Sequence, residues 1–279
     1  DAWLTSRVHH AWLITGPKGI GKATLAYRYA KFLLANGYTL DNATEKNVLK
    51  EKSLTNNSIS SLYIDPANPT FRRVAAHSHT DLHLIERTRS EDGKKIQTSI
   101  PVDRIRSVKH SMSLTSGENS WRIVIIDGAE DMNSNSANAL LKLLEEPPPR
   151  SIILLVSHTW AKLLPTIRSR CIELSLSPLD VNTLKGLIKR YRPDLSPDDS
   201  HMLCRMASGS IGRALEIADN NGLELQNDLL KIFKSLPTMD LSAVQKFSDL
   251  VAKRDGDKTW KNSIEITSRN IADIVEVFA

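Results

Sequence analysis

The sequence predicts an α/β fold, a parallel sheet between helices, followed by a wholly helical part. Three observations predict it. Five short apolar runs alternate with helical patterns over residues 11–176. Those runs are nearly continuous rather than alternating, which signals strands buried on both faces. The first run opens into a glycine-rich turn and then a helix, and after residue 177 no strand pattern recurs.

The elements follow in order. AWLIT (11–15) reads as the first strand, and GPKGIGKAT (16–24) as the turn into a helix over 22–35 with Leu25, Tyr29, Phe32 and Leu33 on one face. Residues 36–80 are rich in Asn, Ser, Thr and Lys and read as a polar insertion, mostly loop with short helices. A second strand covers 81–85, and 89–98 looks like a tight hairpin around Asp92-Gly93. Val102, Ile105, Val108 and Met112 mark a helix whose opposite face, with Arg104, Arg106 and Lys109, reads as solvated. RIVIID (122–127), SIILLVS (151–157) and IELSL (172–176) complete the strands.

Beyond them, Ser177-Pro178 and Ser196-Pro197 each read as a helix N-cap followed by Pro, with Asp180 and Asp199 at the third helical position. A third short helix begins near Ser210 and ends near Ala218, making a small bundle. From Gly222 onward further helical segments are broken at Pro237 and near Gly256. The domain boundaries expected are therefore 1–177, 178–221 and 222–279.

Composition bounds the function. Of 279 residues, 41% are apolar and 25% charged, an ordinary soluble balance. No apolar run is long enough to span a membrane. Two cysteines, Cys171 and Cys204, exclude a disulfide framework and fit a reducing cytoplasm. The net charge of +5 permits contact with nucleic acid without demanding it. The chain opens without Met and closes on an apolar helical pattern, so both ends are expected to continue. His77, His79 and His83 lie close in sequence, but no Cys or acid cluster stands at ligand spacing, and no metal site is expected.

The glycine turn carries the chemistry. A phosphate-binding loop reads Gly, four residues, Gly-Lys, then Ser or Thr, with backbone N–H groups and the Lys on phosphate and the hydroxyl on Mg²⁺. Gly16, Pro17, Gly19, Gly21 and Lys22 suit that cradle, but Ala23 stands where the hydroxyl belongs, ahead of Thr24. Asp127 ends the third strand and reads either as an Mg²⁺-positioning acid or as a strand-end cap. Gly128 follows it, and Glu130, two residues further, is expected to point elsewhere. Ser169-Arg170-Cys171 precedes the last strand, and Cys171 reads as a small buried apolar residue. Arg213 lies in a helix's first turn, where the dipole mildly disfavours a cation.

Taken together, HHAWLITGPKGIGKAT, RIVIIDGAEDMNSNSANALLKLLEEPPP and LLPTIRSRCIELSLSPL resemble the bacterial clamp-loader AAA+ family. The resemblance covers nearly the whole chain and is strongest over 8–35 and 100–220. It implies a RecA-like AAA+ P-loop domain with a parallel sheet, a small three-helix lid and a C-terminal helical collar, here partial. It implies a ring of five subunits, with ATP sites at the interfaces and the SRC arginine reaching a neighbour's γ-phosphate. Arg170 would then be an arginine finger acting in trans.

The departures from the family pattern weaken the chain's own site. Ala23 removes the metal-holding hydroxyl, and Gly128 stands where the water-activating Glu is usual. Arg213 falls one residue after the sensor-2 position, now Gly212. Ser157 and His158 fall near sensor 1, and neither is the usual Thr. Residues 36–80 contain no Cys, so no zinc module is expected. Whether ATP occupies the loop stays open, and Mg²⁺ would come only with nucleotide.

The expectation is a largely non-hydrolysing subunit of a DNA polymerase (nucleotidyltransferase) assembly that loads a sliding clamp onto primed DNA in the cytoplasm. Its implied partners are gamma/tau-type ATPase subunits and a delta subunit, with primed DNA and clamp reached through the complex and no membrane involved. One rival is an active AAA+ ATPase, a hydrolysing loader subunit or a branch-migration motor, with Thr24 and another acid replacing the missing groups. A second is a stand-alone nucleotide-binding regulator of DNA repair.

Overall fold

A computed structural model describes residues 9–41, 62–88, 97–113, 121–235 and 241–253, with Ile264, Thr267 and Ser268. The chain divides into two compact units. The first holds a five-stranded sheet of β1 (Ala11–Thr15), β2 (Leu82–Ile85), β3 (Arg122–Asp127), β4 (Ser151–Val156) and β5 (Ile172–Ser175). The strand order is β2-β3-β4-β1-β5, and every pair is parallel.

Successive side chains of a strand face opposite sides, and β3 shows how the two layers are supplied. Ile123 and Ile125 join Ile152 and Leu154 of β4 on one face, under α1 (Lys22–Asp41) and α2 (Pro69–Ala75). Val124 and Ile126 join Ile153 and Leu155 on the other, under α3 (Val102–Ser113) and α4 (Ser134–Glu145), with Ile105, Met112, Leu140 and Leu143. A short helix, α5 (Pro165–Arg168), leads into β5. A strand with both faces covered must be apolar throughout, which is why RIVIID and SIILLV show no alternation.

Three expectations about this unit need correction. The face of α1 against the sheet is Ala26, Ala30, Leu33 and Leu34, with Tyr29 and Phe32 only partly buried at its edge. Small residues let the helix lie close on the sheet, and a search for large apolar side chains passes over them. The helix also continues to Asp41, into the stretch expected to be insertion. Last, β5, one of the sheet's two edge strands, is exposed along its whole length, whereas β2 at the other edge is largely half-buried. Within the insertion, residues 42–61 lie outside the described residues. So do residues 89–96 of the expected hairpin; beside them Gln97 N donates to Thr88 O at 2.8 Å.

The second unit begins at Pro178 and also takes in Lys18–Ile20. Its helices are α6 (Val181–Tyr191), α7 (Pro197–Ala207), α8 (Ile211–Asp219), α9 (Gly222–Lys234) and α10 (Leu241–Lys253). Leu184, Ile188, Leu203, Ala207, Ala214, Ile217, Leu225 and Leu229 form one core, with Phe247 packed against it. Ser196 caps α7 as expected, accepting from Asp199 N at 3.1 Å with Pro197 in the first turn. The start of α6 differs from expectation. Its N-cap is Asp180, which accepts from Thr183 N at 3.0 Å, so the helix begins after Ser177-Pro178 rather than at it. Asp and Ser are equally good caps, and the Asp with a helical pattern directly behind it wins.

Candidate nucleotide loop and arginine site

Ligands of open parallel sheets bind beyond the carboxyl ends of the strands. Here β4 lies between β1 and β3, and the register pairs Val156 with both Ile14 and Asp127. The end of β1, Asp127 and Ser157 therefore stand at one level. Ser157 N donates to Ile14 O at 3.0 Å, and Gly128 N to Val156 O at 3.1 Å. The loop leaves β1 at Gly16 and enters α1 at Lys22, as the glycine pattern predicts. Gly16 and Gly21 both take positive φ, which a residue with a Cβ rarely adopts.

Lys22 is buried and folded back on its own loop. Its Nζ donates to Gly16 O at 2.7 Å and to Pro17 O at 2.6 Å. Burial holds the ammonium below the ordinary lysine pKa, opposed by the negative charges of Glu130 and Asp127. Burial likewise pushes the Asp127 carboxyl up, with His158 and Lys22 pulling it down and Glu130 pushing it further up. Ala23 is half-buried and Thr24 exposed at the helix start.

Glu130 departs from expectation. The chain after Asp127 turns through a short 3₁₀ segment, Ala129–Asp131. That turn brings the Glu130 carboxylate back to the cluster, where Oε1 accepts from His158 N at 2.9 Å. Its Oε2 is buried without a hydrogen-bond partner among the described residues. A straight continuation of β3 would point the side chain elsewhere. The Asp-Gly dipeptide is the signal for a turn, since Gly128 takes φ of 78°. A Cβ at 128 would also meet Asp131 Oδ2 at 2.8 Å. Position 128 thus has a backbone conformation that favours glycine and little room for a side chain.

In the second unit, Ser210 caps α8 by accepting from Arg213 N at 3.1 Å and donates its hydroxyl to Lys18 O at 2.9 Å. Gly212 N donates to Gly19 O at 2.8 Å. The two glycines pack backbone to backbone, and a Cβ on residue 212 would fall 2.9 Å from Gly19 Cα. No side chain fits at 212 in this arrangement. Arg213 is half-buried on the next helical position.

Arg170 stands apart from the loop cluster. It follows α5 and precedes β5. Its guanidinium is partly exposed and pairs through Nη2 with Glu145 Oε1 at 2.8 Å. Nη1 donates to Thr166 O at 3.0 Å and to Ser169 Oγ at 3.4 Å. Beside it, Arg168 stacks on the exposed Trp160 ring, 3.8 Å from its centroid. Cys171 packs against the core, and burial pushes its thiol up to about 12, so it is no nucleophile at neutral pH. Sequence reasoning does not single out Glu145. The signal it offers is an acid closing a helix whose dipole disfavours one.

A family model described as DNA polymerase III, delta subunit, matches residues 46–180. The chain is 38% identical over 215 residues to a DNA polymerase III subunit delta' of Haemophilus influenzae, covering 72% of this chain and 62% of that one. It is 31% identical over 201 residues to the subunit delta' of Pseudomonas aeruginosa, covering 72% and 53%. A DNA polymerase III subunit gamma of Buchnera aphidicola (from Acyrthosiphon pisum) is 30% identical over 264 residues, covering 91% and 63%. The chain thus spans less than two thirds of the length of these relatives. Among the described residues no helix is long and apolar enough to cross a membrane.

Proposed function

The chain belongs to the family of DNA polymerase III clamp-loader subunits, and from that premise we propose that it is a delta-prime-like stator. In this role it hydrolyses little or no ATP itself and supplies Arg170 in trans to the ATP site of a neighbouring subunit. Its partners are ATPase subunits of the gamma/tau type and a delta subunit. The assembly places the sliding clamp on primed DNA in the cytoplasm.

The observation that carries this reading is the contrast between the chain's two candidate cations. Lys22 is buried on its own loop carbonyls, beside a position 23 with no hydroxyl and a position 128 shaped for glycine. Any nucleotide entering the loop would have to draw Nζ off Gly16 and Pro17, and Mg²⁺ would come only with it. Arg170 is on the surface, with donors to offer. A finger of this kind stabilises the charge of the transferring phosphoryl group, by roughly 10³–10⁵ in rate. The test is paired. The purified chain should show negligible ATP turnover, and Arg170→Ala should impair clamp loading by the assembled complex. Robust turnover by the chain alone would sink the reading.

One observation favours a second reading, an active ATPase. The Glu130 carboxylate lies in the Lys22–Asp127 cluster, with Oε2 free of a hydrogen-bond partner among the described residues. It could orient water in place of the absent acid at 128, with Thr24 on the metal. ATP turnover by the chain with Mg²⁺, abolished by Glu130→Gln, would establish it.

A further inference from the structure

We propose that Glu145 is a positioning residue for Arg170, holding the guanidinium ready for a neighbour's phosphate. The inference rests on the trans-finger reading above and adds a residue to it. Its basis is where Glu145 sits and what it holds.

Glu145 is the last residue of α4. The preceding turn is anchored in the core through Leu140, Leu143 and Leu144, whose side chains are buried. Leu144 O also accepts from His10 Nε2 at 2.9 Å. The carboxylate therefore projects from a fixed helix end. That end is a poor place for an acid, since the helix dipole puts partial negative charge there, and Glu146 follows directly as the C-cap. A local rule broken at a well-packed site points to function.

The partner supplies the reason. Arg170 lies on a short connection between α5 and β5, where a long side chain would sample many rotamers. Glu145 takes Nη2, while the Thr166 carbonyl and the Ser169 hydroxyl take Nη1. A guanidinium has five N–H donors. These three contacts leave the Nε–H and one Nη2–H for an incoming oxyanion. The pair is half in water, so it adds little to stability. What it fixes is orientation, and orientation is what a group acting only in the transition state must have in advance.

The experiment uses the chain assembled with its ATP-hydrolysing partner subunits, clamp and primed DNA. Glu145→Ala should lower kcat for ATP at the site Arg170 completes by about 10-fold, with KM for ATP unchanged. Glu145→Asp should restore most of the rate. In an Arg170→Ala background, Glu145→Ala should have no further effect, because the two act as one unit. The positioning role is overturned if Glu145→Ala keeps the wild-type rate while Arg170→Ala is slow, and the finger reading then stands. It is equally overturned if Glu145→Ala slows the Arg170→Ala complex further, or if its loss tracks a lowered thermal midpoint of the chain. If Arg170→Ala itself is silent, the finger reading falls and takes the positioning role with it.

Discussion

The loop end of the sheet and the turn before β5 hold the same kind of resource, a cation, in opposite states. At the loop, Lys22 is 3% exposed and spends two N–H bonds on carbonyls within six residues of itself. The negative charges acting on it, Glu130 and Asp127, belong to the same unit. At the turn, the Arg170 side chain is 37% exposed and its ion-pair partner Glu145 49%. One cation is satisfied inside the chain, and the other is aimed and only partly engaged. The difference teaches that one unit can bury one cation on its own backbone and leave another partly open to solvent. On the proposed reading, the loop that closes on its own lysine serves the fold, and the exposed, oriented arginine is offered to a neighbour.

The sharpest way to break this comparison is to remove each cation in turn from the assembled loader. Arg170→Ala should slow ATP hydrolysis at the neighbouring site by about 10³-fold, the lower range for a trans arginine, read as single-turnover hydrolysis. On the stator reading, Lys22→Met should leave that rate within about two-fold, because the proposed chemistry lies at the neighbour's site. Its effect should appear in stability instead. Removing the ammonium leaves Asp127 and Glu130 half-buried without their cation, a loss of about 1–3 kcal/mol by urea denaturation. If Lys22→Met instead slows hydrolysis as much as Arg170→Ala, the loop is a working site and the active-ATPase reading gains.

The legibility of the two regions differs for a physical reason. Strands β1, β3 and β4 are readable because burial on both faces forces unbroken apolar runs. The glycine loop is readable because its conformation demands glycine at fixed spacing. Sequence patterns fail where the determinant is non-local. The edge position of β5 follows from strand order, which no run of five residues encodes. The alanine face of α1 follows from how near the helix approaches the sheet. Glu130 returns to the loop cluster only because Gly128 turns the chain. Glu145 meets Arg170 across 25 residues of sequence, and only the packing of α4 beside α5 brings them together.

A smaller effect tests the closed state of position 128. If the loop site lacked only its acid, Gly128→Glu would restore one. The geometry predicts loss instead. Gly128 has φ of 78°, its N–H is tied to Val156 O, and the space for a Cβ is taken by Asp131 Oδ2. That carboxylate is itself held by Arg87 Nε at 2.9 Å. Forcing a side chain there should lower stability by about 1–2 kcal/mol, and Gly128→Ala should show the same loss, because the Cβ alone is at fault. Neither variant should gain ATP turnover. A stable Gly128→Glu protein that hydrolyses ATP would show that the turn is adaptable and the site merely incomplete.

The smallest effect separates burial from charge pairing at the loop. Burial raises the folded-state pKa of Asp127 above its ordinary 3.8, and the pull of His158 and Lys22 offsets this only in part. A carboxyl with a raised pKa binds its proton more tightly folded than unfolded. Its contribution to stability is therefore greatest in acid and falls as pH climbs from 3.8 through the raised value, then stays level. Asp127→Asn removes that titration and little else, so the other carboxylates cancel when the two proteins are compared. The thermal midpoint of the wild type relative to Asp127→Asn should fall across that window. The opposite slope, with the wild type gaining as pH rises, would mean that Lys22 and His158 outweigh desolvation and hold Asp127 ionised. An ionised acid poised at the end of β3 is what a metal-bound nucleotide needs, so that slope would move the loop back toward Arg170's side of the comparison, as a site still built for a ligand.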